Sequence, residues 1–291
     1  MTSVDVEMEN RQGYENIGQL TYADIDFIDE EVYSLINKAY SEINFFGDFK
    51  KGDEENYDYY KKQYLRLLNC EATFFDKQTQ KEYYINEFKE MDYSASSMHL
   101  NYDGSYSDIY DPSNFVYYFF DMDDDGAPEI CITNEIRFVY IVKYYPESDV
   151  FILWYEIPPS GIKLMGTRKL WSYSGTSPIE YTHFQLDQNG EIEYQMQFYV
   201  SEYYNAEKKS DDILYMVTLP EYKDSEKSVK LSEYMKSQAL HNDVRDCFLF
   251  RVTEKQWAEL SKSYFDAREM AQKNVQEVRF NYKEFQNLNL G

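Results

Sequence analysis

Residues 115–133 read FVYYFFDMDDDGAPEICIT, where a short acidic segment separates two apolar runs. The runs at 115–120 and 128–133 are rich in aromatic and β-branched residues, a composition typical of strands. The segment between them is too short to hold a crossover helix, so the two strands are predicted to pair antiparallel around an acidic hairpin loop.

Further strand-length runs follow this hairpin toward the C-terminus. Among the turn signals between them, Asn189-Gly190 is the strongest because this pair favours a two-residue hairpin. The short spacing leaves no room for crossover helices, so the sheet is predicted to be mainly antiparallel. The additional predicted strands are 137–145, 150–156, 162–165, 168–173, 180–187, 191–200, 212–218 and 247–252.

Helical patterns flank the strands at both ends of the chain. Apolar residues repeat with helical spacing from Asp29 to residue 43 and again over 54–69, and a third, short helix is predicted over 80–90. Toward the C-terminus, Thr253 and Gln256 form a capping box that opens a helix. Its apolar stripe is predicted to contact the core and comprises Trp257, Leu260, Tyr264, Ala267 and Ala271.

These elements predict an α+β fold with N-terminal helices, a mainly antiparallel β-sheet body that carries the hairpin loop, and a C-terminal helix. The 291 residues suffice for one large domain or two small ones. Composition distinguishes a flexible lead-in at 1–20, a helical N-terminal part at 21–91, a loop junction at 92–114 and the β-rich body at 115–291. The helical part and the body are also compatible with a single domain.

The chain is strongly acidic, with 53 Asp and Glu against 29 Lys and Arg and a formal net charge of −24. Such a charge disfavours nucleic acid and anionic membranes as partners and favours cations or basic partners. Between Lys89 and Arg137 there are eleven acidic residues and no Lys or Arg. We therefore expect that nothing local neutralises this stretch, whereas a bound divalent cation would.

The acidic loop has the residue spacing of a calcium-binding loop. Ca²⁺ takes about six to eight oxygen ligands, and alternate side chains of a sharply turned loop supply several of them. Acidic residues stand at loop positions 1, 3, 5 and 9, Gly126 at position 6 permits the turn, and position 7 offers a backbone carbonyl. Asp124 is predicted to point into solvent. The predicted calcium ligands are Asp121, Asp123, Asp125, Glu129 and the carbonyl oxygen of Ala127.

The flanking residues indicate which kind of calcium loop this is. An EF-hand has helices on both sides and a Glu at position 12, whereas this loop lies between predicted strands and has Ile132 at that position. The pattern D-x-D-x-D-G-x-x-E between strands resembles the hairpin calcium loops of integrin-type propeller repeats. Mg²⁺ fits less well because it requires near-octahedral geometry and retains its waters. A plain acidic turn without a metal is the alternative.

The stretch 118–130, with the strand at 140–144 and the run at 253–268, resembles a signature of uncharacterised clostridial proteins. In those proteins the loop reads roughly Y-D-x-D-G-D-G-x-P-E-L, and the resemblance covers roughly residues 115–285. Members are often secreted or lipid-anchored, which implies a similar location here. The glycine common at loop position 4 is replaced by Asp124, a change that should not remove a ligand.

Two observations bear on location. No apolar run is long enough to span a membrane, and residues 1–15 lack the basic start and the apolar segment of a signal peptide. The predicted location is extracellular or at the cell surface if a native signal was removed, and cytoplasmic otherwise.

No catalytic residue is predicted. The chain contains no G-x-S-x-G motif, no Gly-rich phosphate loop and no H-E-x-x-H motif. Cys70, Cys131 and Cys247 lie far apart, so neither a disulfide framework nor a structural zinc site is expected.

The sequence therefore predicts a calcium-stabilised, non-catalytic binding or interaction protein at a bacterial cell surface. Its partner would be a protein or a carbohydrate, because 31 Tyr residues can form a stacking surface, although packing in a β-rich core is the simpler explanation for them. Neither a nucleic-acid partner nor direct membrane insertion is expected. Two alternatives stay open: an acidic inhibitor or immunity-type protein that engages a basic partner, and a hydrolase with an unrecognised site.

Overall fold

The computed structural model describes residues 25–52, 55–87, 99–100, 106–107, 112–133, 139–157, 162–175, 178–205, 210–220, 231–242 and 247–287. Over these residues the fold is α+β and mainly β, with two large, mostly antiparallel sheets and a C-terminal helix, which confirms the predicted fold class. The predicted lead-in at 1–20 and most of the junction at 92–114 lie outside the described residues.

The described helices and strands are numbered in chain order. The α-helices are α1 (Glu30–Ser41), α2 (Tyr57–Leu68), α3 (Glu233–Ser237), α4 (Glu254–Asn274) and α5 (Tyr282–Asn287). The first eight strands are β1 (Thr73–Asp76), β2 (Lys81–Tyr84), β3 (His99–Leu100), β4 (Tyr106–Ser107), β5 (Val116–Phe120), β6 (Glu129–Thr133), β7 (Val139–Tyr145) and β8 (Val150–Ile157). The remaining strands are β9 (Lys163–Gly166), β10 (Lys169–Ser174), β11 (Ile179–Leu186), β12 (Ile192–Asn205), β13 (Ser210–Pro220), β14 (Leu240–Asn242), β15 (Cys247–Val252) and β16 (Arg279–Asn281).

The chain divides into two compact units. Unit 1 comprises Met1–Ile43, Ser174–Tyr181 and Met196–Lys262, and unit 2 comprises Asn44–Tyr173, Thr182–Gln195 and Ser263–Gly291. In unit 1, β13 pairs antiparallel with β12 and with β15, and β14 pairs antiparallel with β15. Helix α1 of this unit begins after Asp29, whose Oδ1 accepts the backbone N–H of Val32 at 2.8 Å.

Unit 2 contains a seven-stranded sheet with the strand order β16-β5-β6-β7-β8-β1-β2. All of its pairs are antiparallel except β1 with β8. Strand β6 lies between β5 and β7 and is buried along its whole length. Because side chains alternate along a strand, Ile130 and Ile132 join one buried cluster with α2 and α5, and Cys131 joins another. Burial on both faces explains why β6 reads as a continuous apolar run.

The hairpin predicted from residues 115–133 is present. Strands β5 and β6 pair in a register that places Phe120 opposite Glu129, and the acidic loop connects them. Strand β7 pairs with the other edge of β6 and places Val142 opposite Ile130. The next position along β7 is Lys143, which the same register brings beside Glu129.

The helix predicted over 80–90 is wrong for residues 80–87, and residues 88–90 lie outside the described part of the chain. Residues Lys81–Tyr84 form strand β2, which pairs with β1, and a single 3₁₀ turn follows at Ile85–Glu87. The physical reason lies in the turn between the strands, where Asp76 accepts the backbone N–H groups of Gln78 at 2.8 Å and Thr79 at 3.2 Å. This Asx turn starts a hairpin, so the residues that follow it extend as a strand and do not form a helix.

The turn predicted at Asn189-Gly190 is present, with Gly190 at a φ of +83°. The connection is longer than two residues, since β11 ends at Leu186 and β12 begins at Ile192. Asp187 shapes it, because its Oδ1 accepts the N–H groups of Asn189 at 2.8 Å and Glu191 at 2.9 Å.

The predicted capping box is confirmed. Thr253 Oγ1 accepts the N–H of Gln256 at 3.3 Å, and Gln256 Oε1 accepts the N–H of Thr253 at 3.0 Å, so α4 begins at Glu254. Trp257 is half-buried, and the other four residues of the predicted stripe are buried: Leu260, Tyr264, Ala267 and Ala271. In the described part of the chain, no helix combines the length and apolar character needed to cross a membrane.

Candidate metal centre

The acidic loop reverses direction through two residues with left-handed backbone. Asp124 has a φ of +65° and Gly126 a φ of +93°. Glycine adopts this conformation without steric cost, and aspartate is among the few other residues that tolerate it.

Backbone N–H groups of the loop hold two carboxylates inward. Asp121 accepts the N–H of Asp125 at 3.2 Å through Oδ1 and the N–H of Gly126 at 3.1 Å through Oδ2. Asp123 Oδ1 accepts the N–H of Asp125 at 3.3 Å. The loop therefore curls around the side chains at its first and third positions.

Three carboxylates converge inside this curl. Asp121, Asp123 and Glu129 are all buried, and one oxygen from each lies within 4.8 Å of the others. Glu129 Oε2 accepts the N–H of Met122 at 2.6 Å. Glu129 Oε1 is buried and accepts no hydrogen bond from the described residues. This cluster has the oxygen donors and the spacing to hold a metal ion.

Lys143 extends from β7 into the same cluster. Its ammonium forms ion pairs with Asp123 Oδ2, with Asp125 Oδ2 at 2.6 Å and with Glu129 Oε1 at 3.5 Å. The expectation that nothing local neutralises the acidic stretch was therefore wrong. Arg137 ends the segment that lacks Lys and Arg, and Lys143 lies six residues further on. In the sequence, Lys143 could have been recognised as the single lysine within the apolar strand VYIVKYY.

The electrostatics of the cluster reflect its burial. Burial raises the pKa of Glu129 well above its usual range, and the neighbouring Asp123 charge adds to this effect. Burial likewise raises the pKa of Asp121 and of Asp123. For Lys143, burial alone would lower the pKa, but Glu129 and the two hydrogen-bonded aspartates outweigh burial and raise the pKa. The ammonium is therefore held in its charged form by the carboxylates around it.

Asp124 points away from the cluster, as predicted. Its side chain is 47% exposed and forms an ion pair with Lys50, Nζ to Oδ1, at 2.8 Å. An open cleft of ≈ 700 Å³ adjoins this side of the loop and gives solvent access to it. The cleft is lined by Lys50, Lys51, Gly52, Asp121, Asp124, Asp125 and Gly126.

Neighbouring segments fix the position of the loop. The N–H of Asp121 donates to the carbonyl of Lys50 at 2.8 Å, and the carbonyl of Asp121 accepts Thr167 Oγ1 at 2.9 Å. The carbonyl of Met122 accepts the N–H of Arg168 at 2.7 Å. The backbone around the first ligand position is therefore held by residues outside the loop.

The structure brings three of the five predicted ligands together: Asp121, Asp123 and Glu129. Asp125 lies at the rim, where it shares the Lys143 ammonium with Asp123. Ala127 donates its N–H to Asp125 Oδ1 at 2.8 Å, and the role of its carbonyl as a ligand stays a prediction.

Comparison of the chain with protein-family models, with curated proteins and with solved structures gave no match. The resemblance to clostridial proteins therefore stays a prediction from the sequence. The geometry and charge of the acidic loop are the remaining guide to the role of the protein.

Proposed function

We propose that the chain is a calcium-stabilised, non-catalytic binding or interaction protein whose acidic hairpin loop binds one Ca²⁺ ion. The observation that carries this proposal is Glu129 Oε1, a fully buried carboxylate oxygen that accepts no hydrogen bond from the described residues and has the Lys143 ammonium 3.5 Å away as an ion-pair partner. Buried polar atoms are normally satisfied, and one that faces two other carboxylates is in the position of a metal ligand.

The charge balance of the loop supports a divalent ion. The carboxylates of Asp121, Asp123 and Glu129 converge at the site, Asp125 lies at its rim, and Lys143 supplies one positive charge. Three of these carboxylates are buried. Buried charges that are not paired are strongly unfavourable, so the excess negative charge favours a second cation.

The donor set supports Ca²⁺ over other metals. The three clustered residues offer only carboxylate oxygens, whereas zinc sites in proteins are usually built with Cys or His ligands. The loop is short and irregular, with two left-handed residues. Ca²⁺ accepts irregular oxygen geometry, while Mg²⁺ requires a near-ideal octahedron.

A structural role fits this site better than a catalytic one. A catalytic ion needs an open coordination position and a free acid or base nearby. Here the loop offers several carboxylates to one ion, and Lys50 and Lys143, which lie beside it, are engaged in ion pairs. The ion would pin the β5–β6 hairpin to its neighbours and offset the local excess of negative charge. The clostridial resemblance supports a bacterial surface location, with a protein or carbohydrate as the partner.

Calcium binding is tested by isothermal titration calorimetry and thermal melting of the wild type with Ca²⁺ and with chelator. Binding to the folded state alone should stabilise it by about 2.7 kcal/mol at a hundredfold excess over Kd. Asp123→Asn should lose most of this response. Asp124→Asn is the matched control. It removes the same charge from the neighbouring residue, whose side chain is exposed and points away from the cluster. Melting curves of the wild type that do not change with Ca²⁺ would contradict the proposal.

The absence of catalysis is tested separately. A panel of glycoside, ester and peptide substrates is assayed with the wild type and with Asp123→Asn. Turnover that disappears in a folded Asp123→Asn variant would assign the ion a catalytic role instead.

A further inference from the structure

We infer that Lys143 and a bound divalent cation compete for the same carboxylate oxygens, so that the loop exchanges an internal ammonium for an external metal ion. This inference rests on the proposed function, because it concerns how the calcium site is occupied and released. It assigns Lys143 the role of a built-in competitor that sets the metal affinity.

The contacts of Lys143 place it within the metal-binding cluster. Its Nζ forms ion pairs with Asp123 Oδ2 and, at 3.5 Å, with Glu129 Oε1. Asp123 and Glu129 are two of the three residues whose oxygens can surround a metal ion. Two cations that share those two carboxylates would repel each other in a site where solvent screening is weak. Metal and ammonium are therefore alternative occupants.

The displaced ammonium has a second position available. Asp125 Oδ2 lies 2.6 Å from Nζ, and the Asp125 side chain is 47% exposed at the rim of the loop. The ring of Tyr145 also lies near Nζ, 5.6 Å from it at the centroid. The lysine side chain is flexible, so the Lys143 ammonium can move away from Asp123 and Glu129 while it stays paired with Asp125.

Lys143 offsets part of the mutual repulsion of the three buried carboxylates. It would therefore help the loop to keep its shape whenever no ion is bound. When an ion binds, Asp121, Asp123 and Glu129 coordinate it, and the Lys143 ammonium stays paired with Asp125. The ammonium thus lowers the metal affinity and preserves the metal-free fold.

The test compares Lys143→Met with Lys50→Met by calorimetric titration with Ca²⁺ alone. Lys50 is the matched control, because it is also a lysine paired with a loop carboxylate, but its partner Asp124 points away from the cluster. Lys143→Met should bind Ca²⁺ at least tenfold more tightly than the wild type, about 1.4 kcal/mol. Lys50→Met should stay within roughly threefold of the wild type, because exposed charge pairs contribute little. Without Ca²⁺, Lys143→Met should melt at a lower temperature than the wild type.

The possible outcomes separate this inference from the proposed function. If the wild type binds Ca²⁺ and Lys143→Met binds it equally or more weakly, the exchange is wrong and calcium binding stands. If only Lys143→Met binds, Lys143 does compete with the metal, but the wild-type loop stays filled by the lysine, which overturns both the exchange and the proposed function. If neither protein binds, both are overturned.

A second measurement covers the case in which Lys143→Met does not fold. Lys143→Gln keeps a hydrogen-bond donor and should show the same gain in affinity. A crystal structure of the wild type grown with Ca²⁺ tests the exchange directly. Lys143 Nζ should then lie near Asp125 and away from Asp123 and Glu129, and an ammonium still on Asp123 beside a bound ion would overturn the inference.

Discussion

Glu129 closes the acidic loop onto its own start, because its Oε2 accepts the backbone N–H of Met122 at 2.6 Å. The two residues lie at opposite ends of the loop, where β5 ends and β6 begins. The two oxygens of this carboxylate therefore have different contacts: Oε2 accepts the backbone N–H, and Oε1 faces Asp123 and Lys143. A substitution that keeps the hydrogen bond to Met122 and removes the negative charge distinguishes the two contributions.

Glu129→Gln is predicted to keep the fold and lose the calcium response. The amide carbonyl can still accept the Met122 N–H, but the side chain is neutral and offers the metal a weaker ligand. Calorimetric melting with and without Ca²⁺ should show a rise in melting temperature for the wild type and almost none for the variant. Glu147→Gln, at an exposed turn after β7, is the control and should respond like the wild type. A full response in Glu129→Gln would remove Glu129 from the ligand set.

Two glycines with left-handed backbone, Gly126 and Gly190, differ in the space around them. An added Cβ at Gly126 would meet no atom within 4 Å, whereas one at Gly190 would overlap the carbonyl oxygen of Trp154. Gly126→Ala should therefore cost only the backbone strain, about 1–2 kcal/mol in the free energy of unfolding. Gly190→Ala should cost more, because the overlap adds to a similar strain. Urea unfolding of both variants measures the difference, and an equal or larger loss for Gly126→Ala would contradict it.

Much of the fold could be predicted from the sequence, because the deciding signals are local. The apolar runs on either side of the acidic loop, the Thr253 capping box and the Asn189-Gly190 turn act within a few residues, and all three are present. Strand β1 and the β1–β2 hairpin were missed, since β1 is only four residues long. The parallel pairing of β1 with β8 joins residues far apart in sequence, which a local pattern cannot indicate.

The candidate site was predictable in part for the same reason. The spacing of the acids and Gly126 identified the loop, but the cation in it comes from another strand. Lys143 reaches the cluster through the register of β7 on β6, which depends on long-range pairing. A buried lysine requires a charged partner, so a lysine in an apolar strand next to an acidic hairpin was the usable signal.

His183 allows a prediction about pH that is independent of the metal. Its ring is buried, and neither ring nitrogen forms a hydrogen bond to the described residues. The ring packs against Phe45 and Tyr194, with centroid distances of 5.0 Å and 6.0 Å. Burial lowers the pKa of His183 from 6.5 to about 3, and the nearby charge of Lys169 contributes to the shift.

The sign of the pH effect follows from this lowered pKa. Below pH 6.5 the unfolded chain takes up a proton on His183 that the folded chain does not take up until about pH 3. Stability from this residue is therefore fully present above pH 6.5 and falls as the pH drops, by about 2 kcal/mol between pH 7.5 and pH 5. His183→Phe should remove this slope. Urea unfolding at both pH values checks it, and parallel losses in wild type and variant would contradict it.

Tyr64 connects α2 to both sides of the candidate metal site. Its buried hydroxyl donates to the carbonyl of Pro128 at 3.1 Å and accepts the N–H of Tyr144 at 3.0 Å. The Pro128 carbonyl immediately precedes Glu129, and the Tyr144 N–H immediately follows Lys143. The hydroxyl therefore holds the end of the loop and the lysine strand at a fixed separation.

Tyr64→Phe removes the hydroxyl and leaves both buried backbone groups without this partner. The loss should be about 1–3 kcal/mol in the free energy of unfolding, because an unsatisfied buried group costs its desolvation. The calcium affinity should fall as well, since Glu129 and Lys143 are then less firmly positioned.

Tyr59→Phe is the matched control, because its hydroxyl is 3.1 Å from that of Tyr144 but the residue is 41% exposed. Its effect should stay below about 0.5 kcal/mol. Urea unfolding with Ca²⁺ and with chelator, together with calcium titration, separates the two variants. Equal stability and equal affinity in both would show that the Tyr64 hydroxyl does not support the site.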